Sequence, residues 1–492
     1  MGFGFGRVAL GAALGLAVLG GGRAQAGWQK AESAHFVVYS DGGEASLRAF
    51  TGKLEDFDAL LRLFHGRAAG QDDAARKLDV YLVRSPDQLR RAFPDADPNV
   101  AGVYAADVND IFAVAVRKQS DLADDTVLHE YVHHFMLQHY PGVYPAWLIE
   151  GYAEYFMTAD FEDRKTLVGA PNGNRVSALL HGAWVPARDL LTKRLGQLTR
   201  AQAGVYYGQA WLLTHYMLSD PERKKKLSAY VAATAKGEDP LSAWPRTTGI
   251  AVEDLDRVML VYLRSAIPTK TLVREALPDF PMTVTDLPAS AGDLLLENQL
   301  AKRAPPKSFG EKLLKTVRDE AAKYPGDRLA TLALARVEAG YGDMAVSNRL
   351  LDDWLASHAE DAEALRLAGE NRLAAARAGN DKALAAEAAK LFGRANKAAP
   401  DTYQTLYDFA KTRMGEPGYP SDNTLNVLEL TAQLAPQVRE ITLNVGQALA
   451  ARGRVDDAIR LLEPVANDPH GGKAAETAAT LLKAIRERTK AG

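Results

Sequence analysis

At 492 residues the chain is too long for one ordinary domain, and 47% hydrophobic with 25% charged residues is the balance of a soluble globular protein. A formal net charge of −3, with no basic stripe carrying interleaved aromatics, excludes the usual footprint of a nucleic-acid partner. The absence of cysteine excludes disulfides, thiol catalysis and a lipidated N-terminal cysteine.

Residues 1–26 read as a secretory signal. Arg7 supplies the positive charge, Val8 to Leu19 the apolar stretch, and Ala24-Gln25-Ala26 a small-residue cleavage site. The stretch is short and glycine-rich for a membrane span, so no stable span is expected once it is removed; an uncleaved anchor is the alternative. Export without disulfides fits a bacterial periplasm or the cell exterior.

His35 to Ser40 is a β-branched and aromatic run that predicts a strand. Apolar positions from Leu47 to Phe64 then mark an amphipathic helix. Leu78 to Val83 predicts a strand and Asp87 to Phe93 a short helix. Gly102 to Ala105 and Ile111 to Val116 predict a hairpin. Ile111 to Val116 is expected either as an edge on which an extended peptide could pair or as an ordinary buried strand.

The next apolar-periodic run, Thr126 to Tyr140, carries His129-Glu130-Tyr131-Val132-His133, with Asp124 and Asp125 ahead of it. Acidic residues there suit a helix N-terminus. Residues four apart lie nearly above one another on a helix, so His129 and His133 present two imidazoles to one point, with Glu130 beside them. Two neutral imidazoles and a neighbouring carboxylate are what a catalytic zinc needs: two ligands, and a base for a water.

The third ligand has two candidates. His139 has the spacing of the long HExxHxxGxxH pattern, but Met136 stands where that pattern has glycine. A helix continuing through Met136 turns His139 about 240° from His133. Glu150 lies in a second apolar run after Pro145, from which a carboxylate can reach a metal held by the first helix. Glu154, one turn on, can accept the free ring N–H of His129 and so fix its tautomer. Glu150 is the expected ligand.

The H-E-Y-V-H segment followed by W-L-I-E-G-Y-A-E-Y-F resembles the gluzincin metallopeptidases, in particular the peptidase MA-like branch of bacterial proteins, over residues 28–270. The resemblance implies an α+β zincin-like metallopeptidase domain. It implies Zn2+ held by His129, His133 and Glu150, with Glu130 as general base. Related gluzincins keep a tyrosine at the start of a later helix to stabilise the oxyanion. Here Val205-Tyr206-Tyr207-Gly208-Gln209-Ala210-Trp211 points to Tyr207, with Tyr206 beside it; the other reading packs both in the core.

Strand signals nearly vanish after Thr158. Lys224-Lys225-Lys226 reads as a solvated helix face, His134 as a packed or hydrogen-bonded histidine, and His181 and His215 have no ligand-spaced partner. Residues 267–291, with four prolines, are expected as a junction. The rest is alanine- and leucine-rich, with turns near Tyr324, His358, Ala399, Ala435 and Asp468, successively 34, 41, 36 and 33 residues apart. That period resembles the tetratricopeptide (TPR) repeat and predicts an all-α helical-repeat domain over 292–490 that binds a protein partner or substrate; an all-helical packing domain without a ligand is the alternative.

The chain therefore reads as a signal (1–26), a peptidase domain (27–266), a junction and a repeat domain, acting on a peptide or protein. No G-x-M-E-N-type anchor for a substrate N-terminus is present, which points to an endopeptidase. A scaffold with a vestigial site, or a zinc hydrolase of a non-peptide bond, are the alternatives. A chain cut near Ala266 is expected to fold and keep the metal.

Overall fold

The computed structural model describes residues 27–67, 76–98, 100–117, 124–162, 164–273, 279–468 and 470–491; the expected signal lies outside them. The first part runs β1 (Gln29–Glu32), β2 (Phe36–Ser40), α1 (Glu44–Phe64), β3 (Leu78–Val83), α2 (Pro86–Ala92), β4 (Gly102–Ala106), β5 (Ile111–Val116), α3 (Asp124–His139) and α4 (Ala146–Phe156). It continues through β6 (Asp160–Glu162), β7 (Lys165–Val168), α5 (Gly173–His181), α6 (Ala187–Thr192), α7 (Arg200–Leu218), α8 (Pro221–Ala235), α9 (Pro240–Thr248), α10 (Val252–Leu263), β8 (Lys270–Val273) and β9 (Thr283–Asp286). Then follow α11 (Ala291–Lys302), α12 (Lys307–Ala321), α13 (Arg328–Tyr341), α14 (Met344–Ser357), α15 (Ala362–Gly379) and α16 (Lys382–Ala398). The chain ends with α17 (Tyr403–Thr412), α18 (Asp422–Leu434), α19 (Arg439–Ala451), α20 (Val455–Ala466) and α21 (Gly472–Ala491).

The main sheet has the order β4-β5-β3-β2-β1-β9, with β2/β3 and β3/β5 parallel and the other neighbours antiparallel. Side chains alternate between its faces. Leu78, Val80 and Leu82 of β3 and Ile111, Ala113 and Ala115 of β5 join one core with α1 and α3. Tyr81, Val83, Phe112, Val114 and Val116 join a second cluster with α2 and with Leu295 and Leu296 of α11. Both faces are thus covered.

Of the two readings of Ile111 to Val116 the buried strand is the one the sheet shows, and the region past Thr158 needs a correction. The hairpin's outer strand is β4; β5 lies between β3 and β4 with all six residues buried. Its unbroken apolar run, I-F-A-V-A-V, has an apolar residue for each face, which suits an interior strand. Strands also continue after Thr158. β6, β7 and β8 form a small sheet, and β9 extends the main one beside β1. These strands are three or four residues long and largely polar, so periodicity does not reveal them.

The segment 267–291 thus contributes a strand to each sheet, and α11 clasps the main one. Arg91 grips Glu297 through two bonds of 2.6 Å, and Gln299 bridges Tyr81 (3.0 Å) and Asp110 (2.9 Å). A chain cut near Ala266 would lose β9, which pairs with β1, and Leu295 and Leu296 of α11 from the cluster that holds Tyr81, Val83, Phe112 and Val114. Each such side chain contributes about 1.5–3 kcal/mol when buried, against about 5–15 kcal/mol for a whole domain. Those losses weigh against the expectation that this piece folds by itself.

From α12 onward the chain is an array of helices, most of which pack on the one before. Asp327, Asp343, Asp361, Asp381 and Ser421 cap the helices that follow them through their side chains. The array runs back along the first part. Tyr403 donates to the Asp107 carbonyl (2.7 Å) in the β4–β5 turn, and Gln437 to Gln138 on α3 (2.9 Å). Among the described residues no helix is long and apolar enough to cross a membrane.

Candidate metal centre

The first two donors come from α3, which runs unbroken through Met136 to His139. His129 and His133 stand one turn apart with Nε2 atoms 3.2 Å from each other. His139 packs its ring on Phe135, with centroids 4.6 Å apart, and is not part of the cluster.

The third donor comes from α4, and a glycine sets its position. A Cβ on Gly151 would lie 2.2 Å from both the Ala210 carbonyl oxygen and Thr214 Oγ1 of α7. The two helices lie this close only because residue 151 has no side chain. That approach carries Glu150 and Glu154, fully buried, under α3.

Glu150 Oε2 lies 3.4 Å from His129 Nε2 and 3.6 Å from His133 Nε2. With the 3.2 Å between the imidazoles, the donors form a triangle with sides of 3.2–3.6 Å. A tetrahedron with bonds of about 2.0–2.1 Å has edges of about 3.3–3.4 Å, so the triangle matches one face of a tetrahedral zinc site. Both Glu150 oxygens are buried and accept no hydrogen bond. A buried carboxylate without donors is costly unless a cation faces it. Donor types, spacing and the orphaned carboxylate all fit zinc.

The electrostatics agree. Burial works against a charge on His129, but Glu150 and Glu154 outweigh it and hold the imidazolium up to about 10. Burial likewise opposes the Glu150 charge, yet His133 and His129 keep its carboxyl well below the ordinary range. The cluster therefore demands positive charge.

Glu154 Oε1 lies 3.3 Å from His129 Nδ1. Its two oxygens also accept a fork from Arg175 of α5, each at 2.7 Å. Burial opposes its charge, and His129 and Arg175 together hold it below the ordinary carboxyl range. Arg175 in turn lies over the Tyr207 ring at 4.5 Å. The Tyr207 ring is 5.9 Å from that of His129. Tyr206 points away: it is fully buried, and its hydroxyl donates to the Lys193 carbonyl at 3.2 Å.

Glu130 and His133 line a cavity of about 290 Å3. One wall carries Tyr104, Met136, Leu137, Tyr140, Tyr144 and Ile149; the other carries Gln437, Arg439, Pro464 and His470 of the repeats. Of the remaining histidines, His134 is buried and bonded to Tyr104 (2.9 Å), and burial pushes it down to about 3. His215 bonds Tyr262 and the Pro268 carbonyl, and His181 the Ser177 carbonyl.

Sequence reasoning passed over Arg175 and His470. Arg175 follows the cap residue Asn172, and His470 sits in a turn read only as a repeat boundary. Neither has a spacing that ties it to α3.

A family model described as a protein of unknown function (DUF1570) matches residues 124–241, well under half of the chain. That stretch contains α3, α4, Arg175 and Tyr207. No curated protein matches the chain. Among solved structures, the chain is similar to a thermophilic TPR protein of Thermus thermophilus, at 17% identity and a TM-score of 0.33, covering 39% of this chain and 99% of that one. It is also similar to yeast Tom70, at 14% identity and a TM-score of 0.33, covering 75% of this chain and 74% of that one.

Proposed function

We propose that the protein is an exported zinc-dependent peptidase, with His129, His133 and Glu150 as ligands and the repeats forming part of its cleft. The observation that carries the reading is the donor triangle of 3.2–3.6 Å closed by a buried carboxylate that accepts no hydrogen bond. When bound, zinc acidifies a water and polarises a carbonyl. Glu130, on the cavity wall beside His133, takes the proton from the attacking water and passes it to the leaving amine. Tyr207 offers a neutral hydroxyl to the developing oxyanion; burial and the nearby Glu150 both raise its pKa, so it stays protonated. Glu154 and Arg175 hold the His129 ring in the tautomer that leaves Nε2 free for metal. The cavity's apolar wall suits a peptide side chain next to the scissile bond.

The repeats favour a second reading, an interaction scaffold whose site is vestigial. A groove of about 490 Å3 between α18, α19 and α20 adjoins the first cavity and could seat a partner. One experiment separates the two. Metal content and peptide-library cleavage are measured for the wild type and Glu130→Gln. Zinc in both proteins, with cleavage reduced about 10²–10⁴-fold in the variant, supports the peptidase. Cleavage by the variant at the wild-type rate sinks Glu130 as base, and zinc-free, inactive wild type leaves the scaffold.

A further inference from the structure

The loop between α20 and α21 brings His470 from the last hairpin of the repeats to the metal centre. Its Nε2 lies 3.5 Å from Glu150 Oε1, and its ring centroid is 5.6 Å from that of His133. The approach is a few tenths of an ångström longer than a hydrogen bond, as is common before a site closes on its ligand.

The loop is pinned from two sides. Arg194, ahead of α7, donates to the Ala466 carbonyl at 2.8 Å. Arg439 of α19 donates to Asp468 at 2.6 Å, and Asp468 accepts the His470 backbone N–H at 2.9 Å. The backbone also runs close to Gly196, where a Cβ would stand 3.2 Å from the His470 carbonyl oxygen. The His470 side chain itself is 45% exposed, with its Nε2 on the Glu150 side.

The chemistry of Glu150 gives this placement a use. Oε2 faces the two imidazoles, and Oε1 is buried without a donor. A ligating carboxylate is usually oriented by a donor on its other oxygen, which settles which atom binds and at what angle. Among the described side chains, His470 supplies an N–H on that side.

We propose that His470 is a positioning residue of the metal centre: its Nε2–H holds Glu150 Oε1 so that Oε2 faces His129 and His133. The inference rests on the metal-centre reading. It makes the last repeat hairpin a part of the site rather than an appendage.

The test uses the full chain and reads Zn2+ affinity by competition with a chromogenic chelator, alongside melting of the metal-free protein. His470→Ala is expected to weaken zinc binding about 10–100-fold without moving the metal-free melting temperature. His470→Gln, whose amide N–H can reach the same oxygen but is not a zinc ligand, should recover most of that loss. Arg194→Ala, which frees the loop without touching the cluster, should fall between. Should His470→Ala also lower the metal-free melting temperature, His470→Gln and Arg194→Ala, each compared with wild type, decide the matter. Wild-type affinity in His470→Ala, or a His470→Gln protein as weak as His470→Ala, overturns the proposal. A wild-type protein that takes up no zinc, or a Glu150→Ala that binds it equally well, overturns the metal-centre reading beneath it.

Discussion

Gly151→Ala probes the helix contact that places the third ligand. The new methyl would sit 2.2 Å from the Ala210 carbonyl oxygen and from Thr214 Oγ1, whereas ordinary contact begins near 3.4 Å. The Ala210 atom is backbone, so α4 must withdraw from α7 by roughly 1 Å, a displacement large enough to spoil a preorganised site. Overpacking of this kind costs about 1–3 kcal/mol, which for a domain of this size lowers melting by roughly 2–4 °C per kcal/mol. The same movement carries Glu150 away from distances of 3.4 and 3.6 Å to the two imidazoles. Zinc affinity should fall by at least about 10–100-fold, the loss that a disturbed outer shell alone produces. Gly204→Ala on α7 is the control, because nothing lies within 4 Å of its added methyl. It should be neutral or stabilising by up to about 1 kcal/mol, since alanine is the better helix former. Melting curves and chelator competition on both variants make the comparison. A Gly151→Ala protein that melts and binds zinc like the wild type would refute the claim that this contact sets Glu150.

Chelator titration also ranks the ligands: Glu150→Ala should lose zinc under mild conditions and His139→Ala should keep it, with the reverse order handing the third position to His139. A separate prediction concerns His35, whose Nδ1 is 2.7 Å from buried Glu55. Burial opposes the His35 charge, but Glu55 and Asp58 outweigh it and raise its pKa above the ordinary 6.5. The folded value being the higher one, the charged pair stabilises fully below about 6.5 and fades as pH rises through the folded pKa. The melting difference between wild type and His35→Gln should therefore be larger at pH 6 than at pH 9, and a gap that widens with pH would contradict the assignment.

The main helices and central strands were legible because each carries its signal within itself. β3 and β5 are dense in apolar and β-branched residues, α1 carries an apolar stripe, and His129 and His133 stand one turn apart on α3. The pairing of E-G-x-A-E with H-E-x-x-H was legible for the same reason, although the role of Gly151 emerges only beside Ala210. What stayed hidden depends on neighbours distant in sequence. β4 and β5 could not be ordered from their hairpin alone, because either strand can face β3. β8 and β9 are short and mostly exposed, so their pairing partners rather than their composition define them. Arg175 and His470 arrive from another helix and a distant loop, with no spacing to announce them.

The charge balance of the centre links these residues into one argument. Two buried carboxylates, Glu150 and Glu154, lie under α3, and the Arg175 fork balances only the second. Glu150 is left with the imidazoles, and His129 responds by holding a proton up to about 10. A metal ion bound here would take that imidazole neutral and so displace its proton. Such an ion and the His129 proton would compete for the same buried negative charge. A site with a neutral residue at position 150 would keep two imidazoles but lose the charge that drives the exchange. The carboxylate from α4, placed by Gly151, is thus the source of the cluster's demand for a cation.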